Sequence, residues 1–156
     1  MKQNSTVKEQ SLNPQPNVRP TAQAASTEGL DERVLAALHA ASEKKALEPV
    51  VLDLREIASF TDYFVIVSGA NERQVQAISD EIYETLKRSG HAAAARVEGY
   101  KTAEWILLDY GDFVVHVFEQ KARKFYDLER LWRESKRIEL PAEFNSDTGG
   151  SLRRES

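Results

Sequence analysis

The sequence predicts a single α/β domain in which helices pack on a mixed sheet of about five strands. Three observations predict this class. Short apolar runs, several of them β-branched, alternate with segments that carry apolar residues at helical spacing. The longest helical segment lies between two predicted strands, as in a parallel crossover. A later pair of apolar runs is separated by Gly-Asp, a dipeptide typical of a tight hairpin turn.

The predicted domain occupies residues 30–140, a typical size for one folded unit. Residues 1–29 are polar and hold only three large apolar side chains besides Met1, so they cannot bury enough surface to offset their ordering entropy. Residues 141–156 are also polar and end in a Gly/Ser-containing stretch. We therefore expect a disordered N-terminal tail and a flexible C-terminal tail.

The amino-acid composition limits which functions and which cellular location we expect for this protein. No apolar run follows a basic start, so no secretory signal is predicted, and no stretch approaches the ~18 apolar residues of a membrane span. The chain has no cysteine, which excludes disulfides and thiolate metal sites. Its 21 basic and 25 acidic residues give a net charge of −4, which disfavours a protein that binds mainly by neutralising phosphates. We expect a cytoplasmic protein without membrane contact.

The first half of the domain predicts one helix and two strands. An amphipathic helix is predicted over residues 30–46, and Pro49 follows it. A strand is predicted over residues 50–56 because the segment starts with β-branched residues. The run over residues 62–69 is apolar on both faces, which is typical of a central strand. The apolar face of the helix contains Val34, Leu35, Leu38 and Ala41.

The clearest helix is predicted over residues 71–90. Asn71 is a suitable N-cap, and Gln74 lies three residues later, as in a variant of the capping box. Gly90 is placed to end the helix. A third strand is predicted over residues 93–99, and the two strands beside the helix form a right-handed parallel crossover if they join one sheet. The buried stripe of the helix is Val75, Ile78, Ile82 and Leu86.

The stretch WILLDYGDFVVHVF, residues 105–118, predicts a hairpin with Gly111-Asp112 as its two-residue turn. In this register Leu108 lies opposite Val115, and side chains alternate between the two faces. One face has the composition of a core: Ile106, Leu108, Tyr110, Phe113, Val115 and Val117. The other face is apolar with two polar groups: Trp105, Leu107, Asp109, Val114, His116 and Phe118.

This second face allows two interpretations. If helices cover it, Trp105 is part of a core, and Asp109 and His116 are satisfied by local hydrogen bonds. If it is open, a Trp-centred apolar patch rimmed by charge has the composition of an interface centre. A register shift of one residue would exchange the two faces. The residues by themselves leave both interpretations open.

A last helix is predicted over residues 121–135. Residues 121–137 hold seven basic and three acidic groups, so an acidic body is joined to a basic end. This distribution indicates a protein partner, with optional contact to a polyanion. Arg123 and Tyr126 follow the hairpin closely enough to join a surface centred on it. The apolar stripe of the helix, predicted to be a packing face, is Phe125, Leu128, Leu131 and Trp132.

No catalytic or metal-binding set stands out. The SGANER turn, residues 68–73, follows a strand and opens a helix, as in anion sites and nucleotidyltransferases, but it has one glycine. Asp80 and Glu81, the acids at the matching distance, are predicted on the solvent side of a helix, so they cannot hold magnesium on a strand. The histidines show no metal-ligand spacing. We expect no enzyme and no cofactor; the alternatives are a nucleotidyltransferase-like enzyme or an RNA-binding module that uses the basic segment 121–137.

Four segments resemble, in this order, the ribosomal silencing factor family, also called Iojap or RsfS: TDYFVIVSG, NERQVQAI, VEG with AEWILLDYGDFVVHVF, and ARKFYDLERLW. The resemblance covers about residues 30–135. Its most specific part runs from Trp105 to Trp132, where W-x-x-x-D-x-G-D-x-x-x-H-V precedes R-x-x-Y-x-L-E-x-L-W. The long N-terminal tail and the polar C-terminal extension depart from the family.

The resemblance implies a fold similar to nucleotidyltransferases but without their catalytic acids. It implies binding to ribosomal protein fourteen of the large subunit, so that the small subunit cannot join and translation is repressed. It also implies frequent homodimers, with contact to ribosomal RNA at most secondary. The hairpin and the resemblance together indicate these partner-binding residues: Trp105, Leu107, Asp109, Tyr110, Gly111, Asp112, His116, Arg123 and Tyr126.

Within this set we expect different roles. Trp105 would supply buried aromatic area at the interface. Asp109 and Asp112 would pair with basic groups of the partner. His116 would orient Asp109 or the backbone rather than titrate.

Overall fold

The computed structural model describes residues 30–144, which hold four helices and six strands. The helices are α1 (Glu32–Glu43), α2 (Glu72–Arg88), α3 (Gln120–Tyr126) and α4 (Leu128–Leu131). The strands are β1 (Leu47–Asp53), β2 (Tyr63–Gly69), β3 (Arg96–Glu98), β4 (Trp105–Asp109), β5 (Phe113–Glu119) and β6 (Lys136–Ile138). The tail predicted over residues 1–29 and most of the C-terminal one lie outside the described residues.

The six strands form one mixed sheet in the order β3-β4-β5-β2-β1-β6. Within it β2 and β5 pair in parallel, and the other neighbours are antiparallel. The α/β class and the mixed sheet are confirmed, with one strand more than expected. The additional strand, β6, has three residues and begins Lys-Arg, so it is too short and too polar to show strand periodicity.

The observed ends of α1 and β1 differ from the predicted ones. The Asp31 side chain caps α1 by accepting the N–H of Arg33 at 2.8 Å. Strand β1 begins three residues earlier than predicted, and it ends at Asp53. The chain turns immediately afterwards, because the N–H groups of Ile57 and Ala58 both donate to the carbonyl oxygen of Leu54.

Helix α2 has the predicted N-terminal cap. The Asn71 side chain accepts the N–H of Gln74 at 2.9 Å, and the Gln74 side chain accepts the N–H of Ala70 at 2.6 Å. The strand after the helix, β3, runs in the same direction as β2 but is not its neighbour, because β4 and β5 lie between them. Strand β5 takes the place beside β2 because both are apolar on two faces, whereas the exposed Arg-Val-Glu of β3 suits an edge.

Two apolar cores lie on opposite faces of the sheet. Helices α1 and α2 cover the first face, where Val34 and Ile78 are buried in one cluster with Val65 of β2. Helices α3 and α4 cover part of the second face, where a smaller cluster includes Phe64 and Leu128. Strand β2 is buried along its whole length because helices cover both faces, which confirms its predicted central place.

The hairpin register is the predicted one. Leu108 pairs with Val115, and the N–H of Tyr110 donates to the carbonyl oxygen of Phe113 at 2.9 Å across the turn. Gly111 has a φ of 87°, a conformation that favours glycine. The turn is held from the side, because the Thr61 hydroxyl donates to the Gly111 carbonyl at 2.9 Å.

The continuous helix predicted over residues 121–135 is wrong. Asp127 has a φ of 50° and separates α3 from α4. The folded part also extends past the predicted boundary at residue 140, because Phe144 is buried and packs against the His39 ring at 4.9 Å. In residues 30–144 no helix has the length and apolar character that crossing a membrane requires.

Candidate functional site

Trp105 lies at the start of β4, and its neighbours fix its indole ring. The indole Nε1–H donates a hydrogen bond to Nδ1 of His116 at 3.1 Å. The ring packs against Phe118 and Tyr126, with centroid distances of 4.8 and 4.9 Å. The side chain is half-buried, so an oriented edge of the indole remains at the surface.

His116 lies beneath Trp105 and is only 3% exposed. Burial lowers the pKa of its imidazole to about 3, so the ring is neutral near pH 7. Because Nδ1 accepts the indole proton, the imidazole proton belongs on Nε2, which has no hydrogen-bond partner within residues 30–144. The ring stands edge-on to Phe64 at 4.4 Å. His116 therefore orients Trp105 and not Asp109, and it is too buried for direct contact with a partner.

The second face of the hairpin is covered over β5 and open over β4. Phe118 of β5 is buried in the second core, and Trp132 packs over Phe64 at 5.6 Å. In β4, Trp105 and Leu107 pack only at the margin of that core and are half-buried. The coverage that the first interpretation expected is thus found over β5, and the exposure that the second one expected is found in part over β4.

Both acids of the hairpin already have partners in the chain. Asp109 accepts the N–H of Gly111 at 2.9 Å and lies 3.4 Å from the Arg96 guanidinium. Asp112 lies 2.8 Å from the Arg33 guanidinium, but its side chain is 68% exposed. If either carboxylate binds a cation of a partner, it therefore has to release its arginine or bind both cations at once.

Tyr110 and Gly111 shape the hairpin rather than extend its open face. Tyr110 lies on the first-core side of the sheet, stacked on Phe113 at 4.9 Å, which is the face opposite Trp105. Burial raises the pKa of its hydroxyl to about 12. Its place in a surface centred on Trp105, which we expected, is not supported by this geometry. Gly111 supplies the backbone conformation of the turn.

The break at Asp127 turns half of the predicted packing stripe outward. Leu128 is buried and Trp132 is half-buried in the second core, as predicted. Phe125 and Leu131 are instead 81% and 72% exposed. No glycine or proline marks this break. Aspartate tolerates the left-handed conformation, so Asp127 is a weak signal for it.

These exposed side chains continue the surface that begins at Trp105. The Tyr126 ring contacts the Trp105 ring, and it meets the Phe125 ring edge-on at 5.0 Å. Phe125, Tyr126 and Leu131 line a shallow groove of about 500 Å³. We call Trp105, Leu107, Phe125, Tyr126 and Leu131 the aromatic surface.

Arg123 was expected at this surface but is 8% exposed. Its Nη1 donates to the Ser68 hydroxyl at 2.9 Å, and its Nε and Nη2 donate to the two carboxylate oxygens of Glu129, each at 3.1 Å. Arg137 binds the same carboxylate at 2.9 Å. Arg123 thus fixes α3 against β2 and α4 from below, and it is not part of the aromatic surface.

The basic segment over residues 121–137 is partly used inside the chain. Besides Arg123 and Arg137, Lys136 forms an ion pair with Glu56 at 3.1 Å. Three other cations line the groove of the aromatic surface, so one end of that surface is basic. They are Lys124, Arg130 and Arg133.

The acids considered for a magnesium site do not converge in the described chain. Within residues 30–144 no three histidine, aspartate or glutamate side chains converge to hold a metal ion. Asp80, predicted on the solvent side of a helix, is exposed and accepts a hydrogen bond from the Tyr100 hydroxyl at 3.1 Å.

A family model described as "Ribosomal silencing factor during starvation" matches residues 27–155. The chain is similar to Ribosomal silencing factor RsfS of Halalkalibacterium halodurans, with 41% identity over 104 residues that cover 67% of this chain and 88% of that relative. It is 36% identical over 102 residues to the chloroplastic protein Iojap of Zea mays, covering 65% of this chain and 44% of that relative.

Two solved structures agree with the fold. A crystal structure of a Chromobacterium violaceum protein matches with a TM-score of 0.63 and 33% identity, covering 65% of this chain and 83% of that one. A Bacillus halodurans crystal structure matches with a TM-score of 0.62 and 40% identity, covering 70% of this chain and 98% of that one.

Proposed function

Since the chain belongs to the ribosomal silencing factor family, we propose that it binds the large ribosomal subunit through ribosomal protein fourteen. The bound protein occupies space that the small subunit needs, so the two subunits cannot join and translation is repressed. The mechanism is steric and requires no chemical step. Under this proposal the protein acts in the cytoplasm.

The aromatic surface is the observation that carries the proposal. Phe125 and Leu131 are large apolar side chains left almost fully exposed next to Tyr126 and Trp105. Contiguous apolar patches of this kind mark interaction sites on soluble proteins, and Trp and Tyr are enriched among the residues that dominate binding energy. The patch lies on the segment that carries the most specific part of the family resemblance.

The charges around this surface fit a basic protein better than a nucleic acid. The chain has a net charge of −4, and Asp112 presents an exposed carboxylate at the hairpin turn. Ribosomal proteins are commonly basic, so complementary charge would guide the approach of this acidic domain. The cations at the other end, Lys124, Arg130 and Arg133, are placed for at most a secondary contact with ribosomal RNA.

The expected partner-binding residues divide into contact residues and positioning residues. Trp105, Leu107 and Tyr126 are assigned direct contact, together with Phe125 and Leu131. His116 and Arg123 are assigned positioning roles, because one orients the Trp105 indole and the other fixes α3. Asp109 and Asp112 are assigned polar contacts at the margin.

Sucrose-gradient co-sedimentation tests the proposal. The full-length protein is mixed with separated large subunits, with separated small subunits, and with both. We expect it to sediment with the large subunit alone and to reduce the amount of joined ribosomes. Sedimentation of the free protein would also measure the homodimer that the resemblance implies.

Two outcomes would reject the proposal. One is the absence of binding to large subunits, and the other is binding that leaves subunit joining unchanged. Magnesium-dependent nucleotide turnover that is lost with Asp109→Asn would favour the nucleotidyltransferase-like alternative. Tight binding to free RNA that falls steeply with salt would favour an RNA-binding module.

A further inference from the structure

Two neighbouring parallel strands, β2 and β5, are followed by helices that pack on opposite faces of the sheet. Helix α2 follows β2 and packs on the first core, whereas α3 follows β5 and packs on the second core. In α/β sheets the carboxyl ends of strands at such a switch point form a crevice, and ligands bind there.

A cavity of about 560 Å³, widely open to solvent, lies at this end of β5. Its volume is within the range of sites for small organic ligands. Three parts of the chain form it: the start of β1, the segment from α3 into α4, and the last strand. The lining residues are Glu48, Pro49, Val50, Gln120, Lys121, Arg123, Lys124, Asp127, Glu129 and Arg137.

Arg123 provides a fixed cationic group in the wall of the cavity. Its Nη1 is held by Ser68, and its Nε and Nη2 are held by Glu129. A guanidinium has five N–H groups, so two remain without a hydrogen-bond acceptor in the described chain. Because Glu129 also pairs with Arg137, this cluster of two cations and one anion keeps one positive charge.

Two lysines add mobile positive charge to the same wall. Lys121 and Lys124 are three residues apart on α3 and therefore on neighbouring positions of one helix face. Both are exposed, and neither forms an ion pair with any residue in the range 30–144. An anion in the cavity would meet Arg123, Lys121 and Lys124 together.

Other parts of the lining do not suit a bare anion. Glu48 and Asp127 line the cavity without an ion-pair partner in the described chain, and a carboxylate repels an anion but accepts hydrogen bonds from hydroxyl and amino groups. Glu48 has a φ of 49° beside the bulge between Leu47 and Val50. Pro49 and Val50 supply apolar surface next to it.

We propose that this cavity binds a nucleoside phosphate. The phosphates lie against Lys121, Lys124 and Arg123. The ribose hydroxyls donate to the carboxylates of Glu48 and Asp127, and Pro49 and Val50 contact the base or the sugar. This site adjoins the groove of the aromatic surface, because Lys124 and Asp127 line both, but the proposal does not depend on binding to the ribosome.

Titration of the isotope-labelled full-length protein, followed by the NMR signals of its amides, tests the proposal without ribosomes. The probes are ATP, GTP and inorganic tripolyphosphate at about 50 mM salt, where surface charges are weakly screened. We expect saturable binding of ATP or GTP below about 1 mM. The shifted amides should belong to Glu48, Val50 and residues 120–127.

Matched charge variants make the outcome decisive. Lys121→Gln with Lys124→Gln should weaken nucleotide binding about tenfold, a loss of about 1.4 kcal/mol. Arg130→Gln with Arg133→Gln removes the same charge from outside the cavity and should leave the affinity within about twofold. All four residues are exposed, so circular dichroism should show unchanged folding.

Three results would overturn the proposal. No saturable shift with either nucleotide excludes the site. Equal weakening by the two double variants shows a nonspecific effect of net charge. Tripolyphosphate binding as tightly as ATP or GTP excludes the nucleoside part of the assignment.

Discussion

The indole N–H of Trp105 donates to Nδ1 of His116 across a diagonal of the β4–β5 hairpin. In the strand register Trp105 pairs with Phe118, and His116 pairs with Leu107, so the bond joins residues that are not directly opposite. It exists only while His116 is neutral, because a protonated imidazole would place an N–H against the indole N–H. Burial of His116 thus fixes the orientation of Trp105.

Replacement of His116 should reduce binding through Trp105. In His116→Leu the indole N–H loses its acceptor, and we expect the affinity for large subunits to fall by about 1 kcal/mol, roughly fivefold. The NMR signal of the Trp105 indole N–H should shift and exchange faster with solvent. His116→Gln restores an acceptor oxygen and should recover much of the loss. Equal effects of the two substitutions would reject the positioning role.

His116 should make the folded state sensitive to acid. The pKa of its imidazole is lowered from 6.5 to about 3 in the folded protein, so below pH 6.5 the unfolded chain binds a proton that the folded chain does not. Its contribution is complete above about pH 6.5 and is lost as the pH falls to about 3. The slope is at most ~1.4 kcal/mol per pH unit.

Urea unfolding of the native protein and of His116→Leu between about pH 7 and pH 4 measures this dependence. The native protein should lose free energy of unfolding more steeply than the variant as the pH falls. Parallel curves for the two proteins would show that His116 is not the group responsible.

Phe125 offers the cleanest test of the aromatic surface. Trp105→Ala would also remove packing against Phe118 and Tyr126, so lost binding could reflect lost structure. Phe125 is 81% exposed, so Phe125→Ala should change the free energy of unfolding by less than about 0.5 kcal/mol. It should nevertheless weaken binding to large subunits by about 2 kcal/mol, roughly 30-fold.

Val97→Ala is the control for this substitution. Val97 is another exposed apolar side chain, but it lies on the edge strand β3 and outside the aromatic surface. We expect Val97→Ala to bind large subunits with the same affinity as the native protein. If Phe125→Ala sediments with large subunits as the native protein does, α3 is not part of the interface.

Glu129 should be important for stability rather than for contact. It neutralises the buried guanidinium of Arg123 and also binds Arg137. Glu129→Ala leaves Arg123 without its carboxylate and should lower the free energy of unfolding by roughly 2–3 kcal/mol. Glu134→Ala removes an exposed acid of the same segment and should be nearly neutral. A similar loss in both variants, measured by urea unfolding, would contradict this role.

The strongest periodic segments were predictable. The stripe and caps of α2 follow from helical spacing and from Asn71 and Gln74, which act within four residues of one another. The hairpin register follows from the Gly111-Asp112 turn and from alternation. These features depend on interactions between residues close in sequence, so the sequence contains the information that defines them.

The contents of the candidate site were predictable only in part. Trp105 was predicted to be the centre of an open face, and the structure leaves it half-buried at the margin of the second core. The roles of His116 and Arg123 were not, because both depend on how deeply α3 and α4 bury them. The exposure of Phe125 and Leu131 follows from the left-handed backbone at Asp127, a break that no glycine or proline indicates.

The sequence by itself determined the α/β class, the central strand, the long helix, the hairpin and the family resemblance. Each of these arises from local periodicity or from an ordered set of motifs. The tertiary structure decided which strand lies beside β2, which half of the hairpin is covered, and where the helix after β5 breaks. These outcomes depend on competition between distant apolar segments for the two faces of one sheet, and no local pattern encodes the result of that competition.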